Sequence, residues 1–136
     1  METVQAIITR PELLNKLGNL SSSSLNREIK ENGFPEPEKI GSALYFENNL
    51  IEKWLSNKAH KQVSIDDRLF SSKQLESLFD RSSAWVWAHF QKNKKMKKKA
   101  IYIRSRPYWL ESDIHANKEL TKYLDLVNQQ EVKEVA

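Results

Sequence analysis

The chain has 136 residues, of which 39% are hydrophobic and none is cysteine, and it carries a formal net charge of +4. This size suits one ordinary domain or two very small ones, and the apolar content predicts folded cores rather than disorder. The composition excludes disulfides and thiolate zinc sites, and neither a signal peptide nor a membrane-spanning segment is predicted.

The first helix is predicted to begin after Thr9, a good N-cap with Glu12 at the position that a capping box requires. Gly18 and Asn19 end this helix, and Ser21 is predicted to cap a second helix that carries Leu25. That second helix ends at Gly33, before a Phe-Pro-Glu-Pro segment (34–37). The pattern predicts two short helices joined by a tight turn.

A β-hairpin is predicted next, because the β-prone segments 38–40 and 43–46 flank Gly41 and Ser42. A third helix is predicted from about Asn48, with a buried stripe made of Leu50, Ile51, Trp54 and Leu55. Helix, turn, helix, hairpin and helix form the plan of a winged helix-turn-helix.

The plan recurs about 61–63 residues later in a more divergent form. Ser82 and Ser83 correspond to Ser21 and Ser22, and Val86 and Phe90 correspond to Leu25 and Ile29. A second wing is predicted around residues 104–106, and Ser112 is predicted to cap a final helix. The chain is therefore predicted to be mainly α, with small β-hairpin wings, and to form two tandem winged helix-turn-helix units.

Three segments follow from this prediction: a first unit (1–56), a linker (57–65) and a basic second unit with a C-terminal helix (66–136). An extended linker of nine residues reaches about 30 Å, close to the roughly 34 Å between successive major-groove faces of B-DNA. In the C-terminal helix, an apolar stripe that includes Leu120, Tyr123 and Leu124 indicates either packing across the second unit or a homodimer contact.

The second unit carries the whole positive charge, because residues 66–136 hold fourteen basic and ten acidic side chains whereas residues 1–65 hold eight of each. Between Arg81 and Leu110 there are nine basic residues and no acidic one. This distribution favours a nucleic-acid partner, although a solvated lysine-rich loop remains the alternative.

The first unit resembles the AlpA family, which is related to the MerR-like and excisionase-like winged helices of phages and mobile elements. The resemblance covers about residues 7–56, through the Ser21–Ser24 run, the 34–37 exit, Gly41 and the Trp54-Leu55 pair. It implies a double-stranded DNA partner, contacted by the second helix, and a bacterial cytoplasmic, nucleoid-associated location. In that family Arg often stands where this chain has Ser42, and the second wing, with Arg104 and Arg106, is expected to compensate.

Base reading is assigned to Asn26 and Arg27, because Asn can pair with adenine and Arg with guanine. The alternative for Arg27 is an ion pair with Glu31 on an ordinary polar helix face. The remaining predicted DNA contacts are mostly backbone contacts on both units: Ser22, Ser23, Lys30, Lys39, Ser83, Trp87, Gln91, Lys94, Lys95, Lys97, Lys98, Lys99, Arg104 and Arg106.

No catalytic or metal site is predicted, since His60, His89 and His115 are scattered and no glycine-rich phosphate loop exists. No cofactor is expected. A transcriptional regulator is the leading interpretation, and a recombination directionality factor (excisionase) is the alternative. A third possibility is an adaptor whose second unit binds a protein, such as an integrase or the transcription machinery. RNA binding is a weaker fourth.

Overall fold

The computed structural model describes residues 6–135, with side chains for residues 6–127. The first half contains three helices and three strands in this order: β1 (Ile7–Thr9), α1 (Arg10–Lys16), α2 (Ser22–Glu31), β2 (Glu38–Ile40), β3 (Ala43–Glu47) and α3 (Asn48–Ala59). The predicted hairpin and the predicted start of α3 at Asn48 both agree with these bounds.

The second half repeats this order with two additional helices. It contains β4 (Leu69–Ser71), α4 (Ser72–Phe79), α5 (Ser83–Val86) with a π-helical turn (Trp87–Gln91), α6 (Lys94–Lys99), β5 (Ile101–Ile103), β6 (Arg106–Leu110), α7 (Glu111–Ala116) and α8 (Lys118–Val135). Corresponding elements begin 61 to 63 residues apart, so the internal repeat in the sequence is also a repeat of structure.

Each half has its own three-stranded antiparallel sheet, with strand order β1-β3-β2 in the first and β4-β6-β5 in the second. The strand before the first helix of each half pairs with the second strand of the hairpin, which places Ile8 opposite Phe46 and Phe70 opposite Trp109. These two strands were not predicted from the sequence. The fold is thus mostly helical, with two small hairpin-based sheets.

Hydroxyl caps begin the first two helices of each half. Thr9 and Glu12 form a reciprocal capping box, and the hydrogen bonds from Thr9 lower the pKa of the Glu12 carboxyl. Ser71 forms the same box with Gln74. The second helix of each half is capped by a serine hydroxyl that accepts from the third backbone N–H. This serine is Ser21 in the first half, as predicted, and its counterpart Ser82 in the second.

The predicted cap at Ser112 is wrong. α7 begins at Glu111 directly after β6, with Leu110 at the N-cap position, so Ser112 lies inside the first turn. The Ser112 N–H donates to Asp67 Oδ1 at 3.0 Å, and its hydroxyl also donates to that carboxylate. The acceptor at this helix start is therefore an aspartate from the segment that precedes β4.

The two halves share a hydrophobic core. Leu13, Leu25 and Phe46 of the first half are fully buried in one cluster. The same cluster contains five side chains of the second half, namely Leu69, Ile101, Ile103, Tyr108 and Leu110. The halves are therefore packed against each other and are not independent domains joined by a spacer.

The segment predicted to be a linker (57–65) is part of this packing. α3 continues through Ala59, and Val63 is 1% exposed, with its N–H donating to Ser56 Oγ at 2.9 Å. The Ile65 N–H donates to Glu52 Oε2 at 2.6 Å. The segment is folded onto α3 and does not provide an extended spacer.

Polar contacts also join the halves. Leu17 forms an isolated parallel β-bridge with Leu69. Lys58 Nζ donates to the Tyr102 carbonyl at 3.2 Å, and Lys61 Nζ lies 2.5 Å from Asp113 Oδ1. These contacts link α3 to the second hairpin and the segment after α3 to α7.

The two halves also meet where the Tyr108 ring of the second half approaches Gly18 of the first. Gly18 has a φ of +76°, and a Cβ there would lie 2.6 Å from Cδ2 of the Tyr108 ring. Burial raises the pKa of the Tyr108 phenol, against a smaller opposite effect of Arg106. Only glycine fits both the left-handed backbone and the ring at this position.

A second core lies under α8. Leu120 and Leu124 are buried with Phe79, Phe90 and Trp109. Of the two predictions for the apolar stripe, packing across the second half is therefore the one seen in the described part of α8. Leu50 differs from its prediction, because 43% of its side chain is exposed on α3.

Candidate nucleic-acid interface

The outward face of α2 consists of exposed polar side chains at the end of a tight turn. Gly18 and Asn19 both have positive φ and turn the chain between α1 and α2. Leu25 and Glu28 point inward and are buried. Five of the exposed side chains define what we call the α2 face: Ser22, Ser23, Asn26, Arg27 and Lys30. Glu31, the last residue of α2, is also exposed.

Arg27 has no ion-pair or hydrogen-bond partner among residues 6–127. Its potential partner one turn away, Glu31, lies 3.6 Å from Arg104 of the second hairpin instead. The ion pair with Glu31 that would have made Arg27 an ordinary helix-surface residue is therefore absent from the described structure. The Arg27 side chain is exposed.

Arg10 is a member of this surface that was not predicted. It is the first residue of α1, and its guanidinium donates to Ser22 Oγ at 2.7 Å and to Asn26 Oδ1 at 2.7 Å. The sequence separations of 12 and 16 residues leave no local pattern that could have revealed these contacts. The capping residue Thr9, which fixes where α1 begins, also fixes where Arg10 stands.

The two arginines predicted for the second wing differ in their surroundings. Arg104 and Ser105 both have positive φ and form the turn between β5 and β6. Arg104 lies 3.7 Å from the carboxylate of Glu28, so it belongs to the junction between the halves. Arg106 is exposed, as is Lys39 on the first hairpin.

The equivalent face in the second half is nearly neutral. α5 and its π-helical turn expose Ser83 and Trp87, and Gln91 is half-buried. Trp87 is 52% exposed, and Lys92 Nζ lies 5.7 Å from its ring centroid. A surface groove of about 480 Å³ runs along these side chains and contains the carboxylate of Glu76. With Lys92 and Glu76 on it, this face carries less net positive charge than the α2 face.

Most of the lysine run forms a short helix, α6, rather than a loop. Asn93 caps it, Met96 is fully buried, and the Trp109 indole N–H donates to the Met96 carbonyl at 2.8 Å. The exposed lysines of α6 are Lys94, Lys95, Lys97, Lys98 and Lys99. They have no carboxylate within ion-pair distance among the described side chains.

A groove of about 680 Å³ lies beside α6, lined by Lys94, Lys95, Lys99 and Lys118, by Asn117 and by a single carboxylate, Glu119. Four ammonium groups around one concave surface give it a positive character. The structure thus brings most of the predicted basic residues into two separate groups, one on α2 and one on α6, while Lys39, Arg104 and Arg106 lie on the hairpins.

Three comparisons with known proteins found no match: no family model, no curated protein and no solved structure resembles this chain. Within residues 6–127, no three His, Asp or Glu side chains come together as metal ligands would. Among the described helices, none is long and apolar enough to cross a membrane.

Proposed function

We propose that this chain is a sequence-specific double-stranded DNA-binding protein whose first half acts as a winged helix-turn-helix. In this proposal α2 enters the major groove, which is wide enough for a helix. The observation that supports it best is Arg27, an exposed arginine with no partner in the described structure, standing among Ser23, Asn26 and Lys30. An unpaired guanidinium on an exposed helix face is suited to guanine or phosphate.

The proposed reading group has the chemistry that base recognition requires. Arg27 and Asn26 can donate to purine acceptors, whereas Ser22, Ser23 and Lys30 are suited to phosphate oxygens. Lys39 on the first hairpin and the lysines of α6 would add attraction that does not depend on sequence.

We further propose regulation of transcription in a phage or mobile element as the biological role, with excision directionality as the alternative. Both roles need the same contacts with DNA, but they differ in whether the bound DNA must be bent. An excision factor must bend its site, whereas a repressor only has to occupy it. Bend angle and footprint length, measured on the selected site, separate the two.

An adaptor role for the second half is favoured by a specific observation. Trp87, Ala84 and Ala88 are exposed where the first half has Asn26, Ser23 and Arg27. An exposed tryptophan beside small apolar side chains is typical of a protein-binding surface. In this version the first half binds DNA, and the second half recruits integrase or transcription machinery.

Selection of duplexes from a random pool, followed by titration of variants, tests the proposal. Asn26→Ala and Arg27→Ala are each expected to cost about 1–3 kcal/mol on the selected site and little on random DNA. Lys53→Ala, an exposed substitution on α3, is the control and is expected to change neither. Equal losses on both kinds of DNA would contradict base reading by α2.

A further inference from the structure

The contact between Arg10 and Asn26 joins the start of α1 to the α2 face. Arg10 Nη2 lies 2.7 Å from Asn26 Oδ1, 2.7 Å from Ser22 Oγ and 3.1 Å from the Ser22 carbonyl oxygen. Arg10 Nε donates to the same hydroxyl at 3.2 Å. Four contacts of one guanidinium therefore hold the first two turns of α2.

The direction of these hydrogen bonds fixes the orientation of the Asn26 amide. A guanidinium has donors only, so the atom that faces it must be the carboxamide oxygen. The Asn26 NH₂ group is consequently turned away from Arg10. The Nη1 group of Arg10 makes no hydrogen bond within the described structure, so its two N–H groups remain available.

The groups that Arg10 and Asn26 leave available for DNA are mainly hydrogen-bond donors. Adenine is recognised by Asn through one accepted and one donated hydrogen bond, whereas guanine offers two acceptors, N7 and O6, in the major groove. Because Arg10 engages the Asn26 oxygen, the exposed donors of the two side chains complement guanine better than adenine.

We propose that Arg10 is a specificity-determining residue, and that Arg10 and Asn26 together select guanine at one position of the DNA site. This inference rests on the proposed function, because it concerns how the α2 face discriminates bases. It replaces the expectation that Asn26 reads adenine by itself.

The second half has no counterpart of the Arg10–Asn26 pair. The positions that correspond to Arg10 and Asn26 there are Ser72 and Trp87, which cannot form such a pair. The donor pair is thus confined to the half whose second helix carries unpaired positive charge.

The test compares the base preferences of four proteins on a randomised duplex library: the full chain, Arg10→Ala, Arg10→Lys and Arg27→Ala. The full chain is expected to select guanine at the position read by the pair. Arg10→Ala frees the Asn26 oxygen, and its preference there is expected to move toward adenine by roughly ten-fold. Arg10→Lys keeps the charge but cannot span Ser22 and Asn26 in the same way, so it should also lose the guanine preference.

Arg27→Ala is the matched control. It removes a neighbouring guanidinium and is expected to relax a different base pair while guanine at the Arg10–Asn26 position is kept. Replacing that guanine with 7-deazaguanine, which lacks the N7 acceptor, should weaken binding of the full chain by roughly ten-fold and of Arg10→Ala only slightly.

The outcomes separate this inference from the proposed function. If the full chain enriches no sequence at all, the proposed function fails and the inference fails with it. If the full chain selects a site but Arg10→Ala and Arg10→Lys both keep the same preference, only the inference is overturned. Circular dichroism confirms that each variant is folded, and Arg10→Lys decides the matter should Arg10→Ala unfold.

Discussion

Arg104, at the turn between β5 and β6, lies 3.7 Å from the carboxylate of Glu28 on α2. Glu28 is 1% exposed; one of its oxygens accepts from the Asn32 amide, and the other has no hydrogen-bond partner in the described structure. A carboxylate buried in this way depends on a nearby cation to offset its lost hydration. The second hairpin therefore supports the helix that we propose as the DNA reader.

Removing this cation should destabilise the protein. We expect Arg104→Ala to lower the free energy of unfolding by about 1–3 kcal/mol, because it leaves the Glu28 carboxylate uncompensated. The loss stays below the largest values known for buried pairs, since the Arg104 side chain is still 27% exposed. Urea denaturation followed by tryptophan fluorescence measures the change.

Arg106→Ala serves as the control for this prediction. Arg106 is exposed two residues further along the same hairpin, so its removal should change stability by less than about 0.5 kcal/mol. Similar losses for both variants would mean that the pair with Glu28 makes no special contribution.

Gly18 offers a second test of the junction. Gly18→Ala and Gly33→Ala both replace a glycine with φ above +70°, but a Cβ at Gly33 would meet no atom within 4 Å. We expect Gly33→Ala to cost about 1–2 kcal/mol for the left-handed backbone alone. Gly18→Ala should cost roughly 1–3 kcal/mol more, because the methyl group displaces the Tyr108 ring.

The two glycine variants are compared by thermal and urea unfolding under the same conditions. Tyr108→Ala will itself be destabilising, because the ring is buried in the shared core. In that background, however, Gly18→Ala should cost less than it does in the unmodified chain, since the ring that the methyl group meets is then gone. Equal costs at Gly18 and Gly33 would show that the ring can move aside freely.

The first half should not be stable by itself. A chain of residues 1–65 lacks five side chains that are buried in the shared core, and each contributes about 1.5–3 kcal/mol when buried. Their sum is comparable with the entire folding free energy of a small domain. We expect residues 1–65 to show a weak circular dichroism signal and rapid proteolysis, and a cooperative unfolding transition in this fragment would contradict the shared core.

The lysines of α6 should contribute affinity without specificity. We expect replacement of Lys95, Lys97 and Lys98 with alanine to weaken binding to every duplex. The slope of log K against log salt should fall by about 0.9 for each DNA phosphate that the variant no longer neutralises. The charge-matched control replaces Lys53, Lys73 and Lys122, which are exposed on other helices, and its slope should stay near that of the unmodified protein.

Features that depend on local chemistry could be predicted from the sequence. The cap at Ser21 and the hairpin around Gly41 follow from residues within a few positions of them, so both could be predicted. The repeat was visible for the same reason, since equivalent caps and apolar residues recur at a constant offset.

Features that depend on residues far away in the sequence could not be predicted. β1 and β4 are three residues long, too short to display alternation, and they exist because β3 and β6 lie beside them. Segment 57–65 is polar enough to resemble a spacer, although Val63 and Ile65 hold it against α3. The pair of Arg104 with Glu28 spans 76 positions, so no sequence window contains both.

The approach of the Tyr108 ring to Gly18 has a consequence for how far the two repeats are equivalent. The residue that corresponds to Gly18 in the second half is Asp80, which also has a positive φ but ends its helix on the exposed surface. The two halves therefore contribute different residues to this contact: the first supplies a glycine, which has no side chain, and the second supplies the Tyr108 ring. A protein built from two copies of the second half would bring the Asp80 carboxylate, rather than a glycine, to this contact. The repeats are alike in outline, but neither can take the place of the other.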